Sequence, residues 1–93
     1  MRPPWAGKRR DDTEPDIIEA LEGIGAEVER LDRPVDLLVR YQGRVHLLEV
    51  EGITRGRKRQ AQQLEFIARW EVPIVRSPAQ AMRAIGAPVA IAI

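Results

Sequence analysis

The chain predicts an α/β fold: a mixed β-sheet flanked by helices, in the order α-β-β-β-α-β-α. Three observations carry this. The apolar runs Asp36–Tyr41 and Arg44–Val50 are separated only by Gln42-Gly43, a two-residue hairpin signal. Thr13-Glu14-Pro15-Asp16 and Ser77-Pro78-Ala79-Gln80 both carry the grammar of a helix start. A further apolar run, Val72–Arg76, falls between two helical stretches, so strands and helices share one core.

Taken in order, residues 1–12 combine Pro3, Pro4, Gly7 and the basic cluster Lys8-Arg9-Arg10, which predicts a flexible basic arm ahead of a single domain over 13–93. Thr13 is the expected N-cap of the first helix, with Pro15 in its first turn and Asp16 placed for a capping box. Ile17, Ile18, Leu21 and Ile24 form its apolar stripe, and Gly23 or Gly25 ends it. Ala26–Leu31 is expected as a strand, followed by the hairpin. Arg57–Trp70 has helical composition. Within it Arg59, Gln63, Phe66, Ile67 and Trp70 share one face, polar toward its start and apolar toward its end, so Phe66, Ile67 and Trp70 are assigned to the core. Pro73 in the Val72–Arg76 run argues for an edge strand or its first residues. Ser77 then serves as N-cap, with Pro78 at N1 and Gln80 at N3, of a helix running to about Ile85 and stopping at Gly86. Pro88–Ile93 is a candidate last element.

Composition narrows the function. A chain of 93 residues suffices for one modest core. Without cysteine there is neither a disulfide framework nor a thiolate metal site. No apolar run approaches the roughly 20 residues of a membrane span, and Met1–Trp5 lacks the apolar stretch of a signal peptide. A soluble cytoplasmic protein with no membrane partner is the expectation. The net charge of +1 conceals an uneven distribution: Arg55-Gly56-Arg57-Lys58-Arg59 is a dense basic run, while acids dominate Asp11 to Asp36.

The hairpin concentrates the acids. A two-residue loop at Gln42-Gly43 sets Tyr41 against Arg44, Val39 against His46, Leu37 against Leu48 and Asp36 against Glu49. Directly opposed side chains have Cβ atoms about 4.5–5.5 Å apart, and like charges placed so repel. Glu51 shares the face of Glu49, because side chains at i and i+2 point the same way. Leu38, Val45 and Leu47 fill the rest of that face. Leu37, Val39, Leu48 and Val50 line the other, and a sheet apolar on both faces is normally covered on both. Three crowded, partly desolvated carboxylates call for a cation. Two are open: a hard ion, Mg²⁺ or Mn²⁺, which oxygen-only ligands favour, or the arginines at 55, 57 and 59. The same basic run is either a phosphate contact or a solvated loop. Acids for a metal beside bases for phosphate form the inventory of a phosphodiesterase. His46, the only histidine, falls by register on the face opposite Asp36 and Glu49 and stands outside this group.

Pro34-Val35-Asp36, Glu49-Val50-Glu51 and Gln63 together resemble the PD-(D/E)xK nuclease superfamily. The wider stretches DDTEPDIIEALEGIGAEV, DLLVRYQGRVHLLEVEG, QLEFIARW and VPIVRSPAQAM resemble the virus-type replication-repair (VRR-NUC) nucleases of phages and bacteria, from Asp11 to about Ile85. The resemblance implies a restriction-endonuclease-like fold and metal-dependent, structure-selective cutting of DNA, in particular branched or junction DNA, by a homodimer. It implies Asp36 and Glu49 as metal ligands with the Val50 carbonyl as a third, Asp16 as the acid of the first helix, and Gln63 as the helix glutamine. One position departs: the family's usual lysine is Glu51 here. Glu51 then reads as a further ligand or a general base, with Lys58 or Arg59 supplying the positive charge. Arg55, Arg57, Lys58, Arg59 and Arg76 are the expected DNA contacts. The departure leaves two alternatives open, a nuclease-like module that binds DNA or a protein without cutting, and an assembly protein whose acids are solvated surface.

Overall fold

The computed structural model describes residues 13–52 and 59–89. Along them run α1 (Thr13–Gly23), β1 (Glu27–Arg30), β2 (Leu37–Tyr41), β3 (Arg44–Val50), α2 (Ala61–Trp70), β4 (Ile74–Val75) and α3 (Pro78–Ala84). The four strands form one mixed sheet in the order β1-β2-β3-β4, antiparallel up to β3 and parallel between β3 and β4.

The hairpin follows from its turn. Gln42 and Gly43 have φ of 52° and 78°, and two positive φ values match the right-handed twist of the flanking strands. Tyr41 therefore pairs with Arg44, Val39 with His46 and Leu37 with Leu48. The ladder ends at that last pair, so Asp36 lies just beyond it rather than within it. Alternation sends Leu37, Val39 and Leu48 to one face, where they pack with Ile17 and Leu21 of α1, Val75 of β4, and Ala81 and Ile85 of the α3 region. A second, smaller cluster on the opposite face joins Val35, Ile67 and Val72, with Leu31, Leu47 and Phe66 against it.

The three helices of the described residues end alike. Ala26 N–H donates to the Leu21 carbonyl, Val72 N–H to that of Ile67, and Ala87 N–H to that of Met82. The residue before each donor has positive φ: Gly25, Glu71 and Gly86. This is the Schellman closure, in which a left-handed residue turns the chain back on the last turn. Ser77 caps α3 as expected, its Oγ accepting from Gln80 N–H at 3.2 Å.

Several expectations need correction. Thr13 is already helical, not a residue ahead of the helix. The helix expected from Arg57 starts at Ala61. Gln60 is extended, its N–H donating to Gln63 Oε1 at 3.1 Å, and Arg59 precedes it outside the helix. The Val72–Arg76 strand shrinks to Ile74–Val75, an edge strand as Pro73 suggested. Proline offers no N–H to a ladder, and the Arg76 N–H is taken by Gln80 Oε1 at 2.7 Å. Coverage of both sheet faces is incomplete among the described residues, for Val45 is 64 % exposed. Ten residues of α2 span only about 15 Å, and they reach Leu47 but not Val45. Trp70, assigned to the core, is the last residue of α2 and is 59 % exposed, outside the cluster that Ile67 and Phe66 join. Residues 1–12 and 90–93 lie outside the described residues, and Pro88 and Val89 are irregular.

Candidate functional site

Asp36 sits in the bend leading into β2, and Glu49 is the second-last residue of β3. Both are buried, at 6 % and 3 % exposure. The Val50 N–H donates to Asp36 Oδ2 at 2.7 Å. On the other side of β3, Glu49 N–H donates to the Pro73 carbonyl at 3.0 Å and Glu51 N–H to that of Val75 at 2.9 Å. A strand residue's N–H and C=O point the same way, and neighbouring residues point oppositely. The Val50 carbonyl therefore faces the β2 side with its N–H, toward Asp36. The antiparallel ladder and the short parallel one together aim a carboxylate, a second carboxylate and a backbone oxygen at one end of the sheet.

The two oxygens of Glu49 differ. Oε2 accepts from Arg59 Nε at 2.6 Å, whereas Oε1 is buried and no donor reaches it. Burial pushes the Glu49 carboxyl above its ordinary 4.5; the Arg59 hydrogen bond pulls it down, and the Asp36 charge pushes it up again. Because burial wins, the folded protein holds this proton more tightly than the unfolded chain. The ionised carboxylate therefore costs stability above the raised value, and that cost fades as pH falls toward 4.5. Glu49→Gln lacks this titration. Its melting temperature relative to wild type is expected to be most favourable at pH 7 and to lose ground steadily on acidification. A gap that is constant with pH would show that Glu49 ionises as it does in the unfolded chain.

Glu51 is half-exposed and turns to arginines: its Oε1 lies 3.4 Å from Arg76 and 3.7 Å from Arg59. Arg59 thus bridges Glu49 and Glu51, the positive charge that two acids on one strand face require. Arg59 was expected either at phosphate or against the acids; its guanidinium is engaged with carboxylates here, with its side chain 20 % exposed. Arg76 is more exposed and able to reach outward. Gln63 stands beside the acid-bearing bend, its Nε2 3.5 Å from the Pro34 carbonyl.

Asp16 stands elsewhere. It is exposed and lines a surface concavity with Pro15, Ile18, Glu19, Glu22, Val28 and Arg30, none of which belongs to the acid pair. His46 is half-buried on the core face, as its register with Val39 requires. Arg55, Arg57 and Lys58 lie outside the described residues.

The residues present fit a hard divalent ion of the Mg²⁺ type. Among the described residues no three Asp, Glu or His side chains converge on one point, but Mg²⁺ keeps several waters and is commonly held by only one or two carboxylates. Asp36, Glu49 and the Val50 carbonyl meet that need, and the donorless Oε1 of Glu49 is a buried acceptor awaiting a positive partner.

No protein-family model matches the chain, and no curated protein or solved structure shows a significant match. Among the described residues no helix is long and apolar enough to cross a membrane. Arg59, one of the arginines offered as partners for the acids, bridges Glu49 and Glu51. Sequence reasoning missed the exposure of Trp70; its position directly before Glu71-Val72-Pro73, where the residue ahead of proline disfavours helix, was the available signal.

Proposed function

We propose that the chain is a metal-dependent, structure-selective DNA endonuclease with a restriction-endonuclease-like fold, hydrolysing phosphodiester bonds in branched or junction DNA. The observation that carries this reading is the buried Asp36–Glu49 pair, with one carboxylate oxygen unmet and a strand backbone turned toward it. A buried pair of like charges is costly, and such costs collect where chemistry needs them. Asp36, Glu49 and the Val50 carbonyl would hold Mg²⁺ or Mn²⁺, which when bound polarises the phosphate and lowers the pKa of the attacking water. Glu51 holds Arg59 and Arg76 at the rim, supplying the positive charge that the resembled family draws from lysine. Arg76 and the basic run at 55–58 meet phosphates, and Gln63 braces the bend that presents Asp36. The likeness of the motifs to the VRR-NUC nucleases supports a homodimer acting in the cytoplasm of a bacterial host cell.

A second reading is favoured by one observation: Arg59 already bonds Glu49 and approaches Glu51. A guanidinium that neutralises the acids permanently would leave a module that binds DNA or a protein without cutting it. Cleavage of junction, flap and linear DNA across a metal titration separates the two. The nuclease is expected to cut junction or flap DNA only with Mg²⁺ or Mn²⁺, and DNA binding without cutting at millimolar ion would establish the module. In the same assay Glu51→Ala is expected to slow cleavage without weakening ion binding; a loss of ion affinity would make Glu51 a ligand instead.

A further inference from the structure

We infer that Trp70, with Arg69, forms a stacking platform for an unpaired base of the DNA substrate, two turns along α2 from Gln63. The inference rests on the DNA reading above and specifies its substrate: strands with single-stranded character beside the cut. Trp70 is one of the largest exposed apolar side chains, at 59 % exposure. Its ring is not idle surface. The Arg69 guanidinium lies over it, 5.5 Å from the centroid, and Phe66 steadies it from the previous turn, tilted at 42° with centroids 6.1 Å apart. A ring more than half exposed and fixed by two neighbours has little conformational freedom left to lose on stacking. Arg69 takes part in no ion pair among the described residues, so its charge is available to a phosphate while its plane stays on the indole. An aromatic ring paired with an uncommitted guanidinium is the chemistry that binds a base and its backbone, and charge complementarity selects a nucleic acid over an apolar peptide.

The placement on α2 gives the distance. Gln63 and Trp70 are seven residues apart on one helix face, two turns or about 10 Å along the axis. Gln63 reaches the Pro34 carbonyl, two residues ahead of Asp36. With stacked bases about 3.4 Å apart along a strand, that helix length corresponds to roughly three nucleotides between a base on Trp70 and the Gln63 end of α2. In an intact duplex that base is paired and stacked on its neighbours, and the ring cannot reach its face.

Fluorescence tests this directly, because the only other tryptophan is Trp5. In a Trp5→Phe background with EDTA, an oligothymidine is expected to quench Trp70 emission, and a blunt duplex of equal length to leave it nearly unchanged. Trp70→Ala should weaken oligothymidine binding by roughly 5- to 150-fold, the usual worth of one stacked base, and Trp70→Phe should restore part of it. Helical circular dichroism unchanged in Trp70→Ala confirms that the exposed site was altered without unfolding. Absence of quenching, or Trp70→Ala binding as wild type, overturns the platform even if DNA is cut. Emission that changes with protein concentration in the absence of DNA places a second copy on the ring and also overturns it. Quenching through Trp70 with no cleavage at any metal concentration upholds the platform and removes the nuclease reading.

Discussion

Replacing Asp36 by asparagine is expected to lower DNA cleavage by at least about 100-fold, since even residues that only support metal ligands cost 10–100-fold when changed. The same variant is expected to be more stable than wild type at neutral pH. Asparagine keeps an oxygen able to accept the Val50 N–H bond of 2.7 Å, so the bend into β2 survives. It removes the charge that pushes against Glu49, and its amide can donate toward the Oε1 that no donor reaches. Satisfying one buried polar atom is worth about 1 kcal/mol, which in a domain of this size raises the melting temperature by roughly 4–8 °C. Cleavage assays and thermal melts on one preparation read both effects. An Asp36→Asn variant that cuts like wild type would remove Asp36 from the chemistry. One that melts lower would mean that the acid pair serves the fold.

The second large effect lies in the core. Leu48 is fully buried between α1, α3 and the rest of the sheet. Leu48→Ala removes three carbon atoms' worth of packing and leaves a cavity, at a cost of about 2–5 kcal/mol. The net stability of small domains is only about 5–15 kcal/mol, and at about 4–8 °C per kcal/mol a fall in melting temperature of roughly 8–40 °C is expected. Val45, three residues earlier on the same strand, is 64 % exposed, and Val45→Ala should change stability by no more than about 0.5 kcal/mol. Urea unfolding of the pair checks this. Equal losses would mean that something covers Val45 in solution.

That contrast also shows what the amino-acid sequence made legible. Gln42-Gly43 admits few backbone conformations, so the hairpin register down to Leu37–Leu48 could be written from the turn outward. Ser77, Gly86 and the stop at Gly23 or Gly25 act through bonds spanning three to five residues and were readable for the same reason. The burial of Asp36 and Glu49 was expected from coverage of both sheet faces, and it holds at their end of the sheet although Val45 on the same face is exposed. Coverage was not legible. Whether Val45 or Trp70 meets another element depends on where α2 starts and how far it reaches, and a shared helical period from Arg59 to Trp70 says nothing about the extended Gln60 that cuts it short. That Arg59 would turn to the acids rather than outward to phosphate was left open, because ion-pair partners ten residues apart are decided by the path of the chain between them.

The parallel ladder has a further consequence, one of local opening. On its outer side, the acid-bearing end of β3 is held by a partner strand of two residues, Ile74 and Val75, whereas the hairpin side is a five-pair ladder. Short ladders at a sheet margin come apart at lower free energy than the whole molecule does. Amide hydrogens of Glu49 and Glu51, bonded to the Pro73 and Val75 carbonyls, should exchange with solvent well before those of Val39 or Leu48. Glu49 thus sits on a seam that can part without unfolding, so its buried, unmet oxygen need not be an inaccessible one.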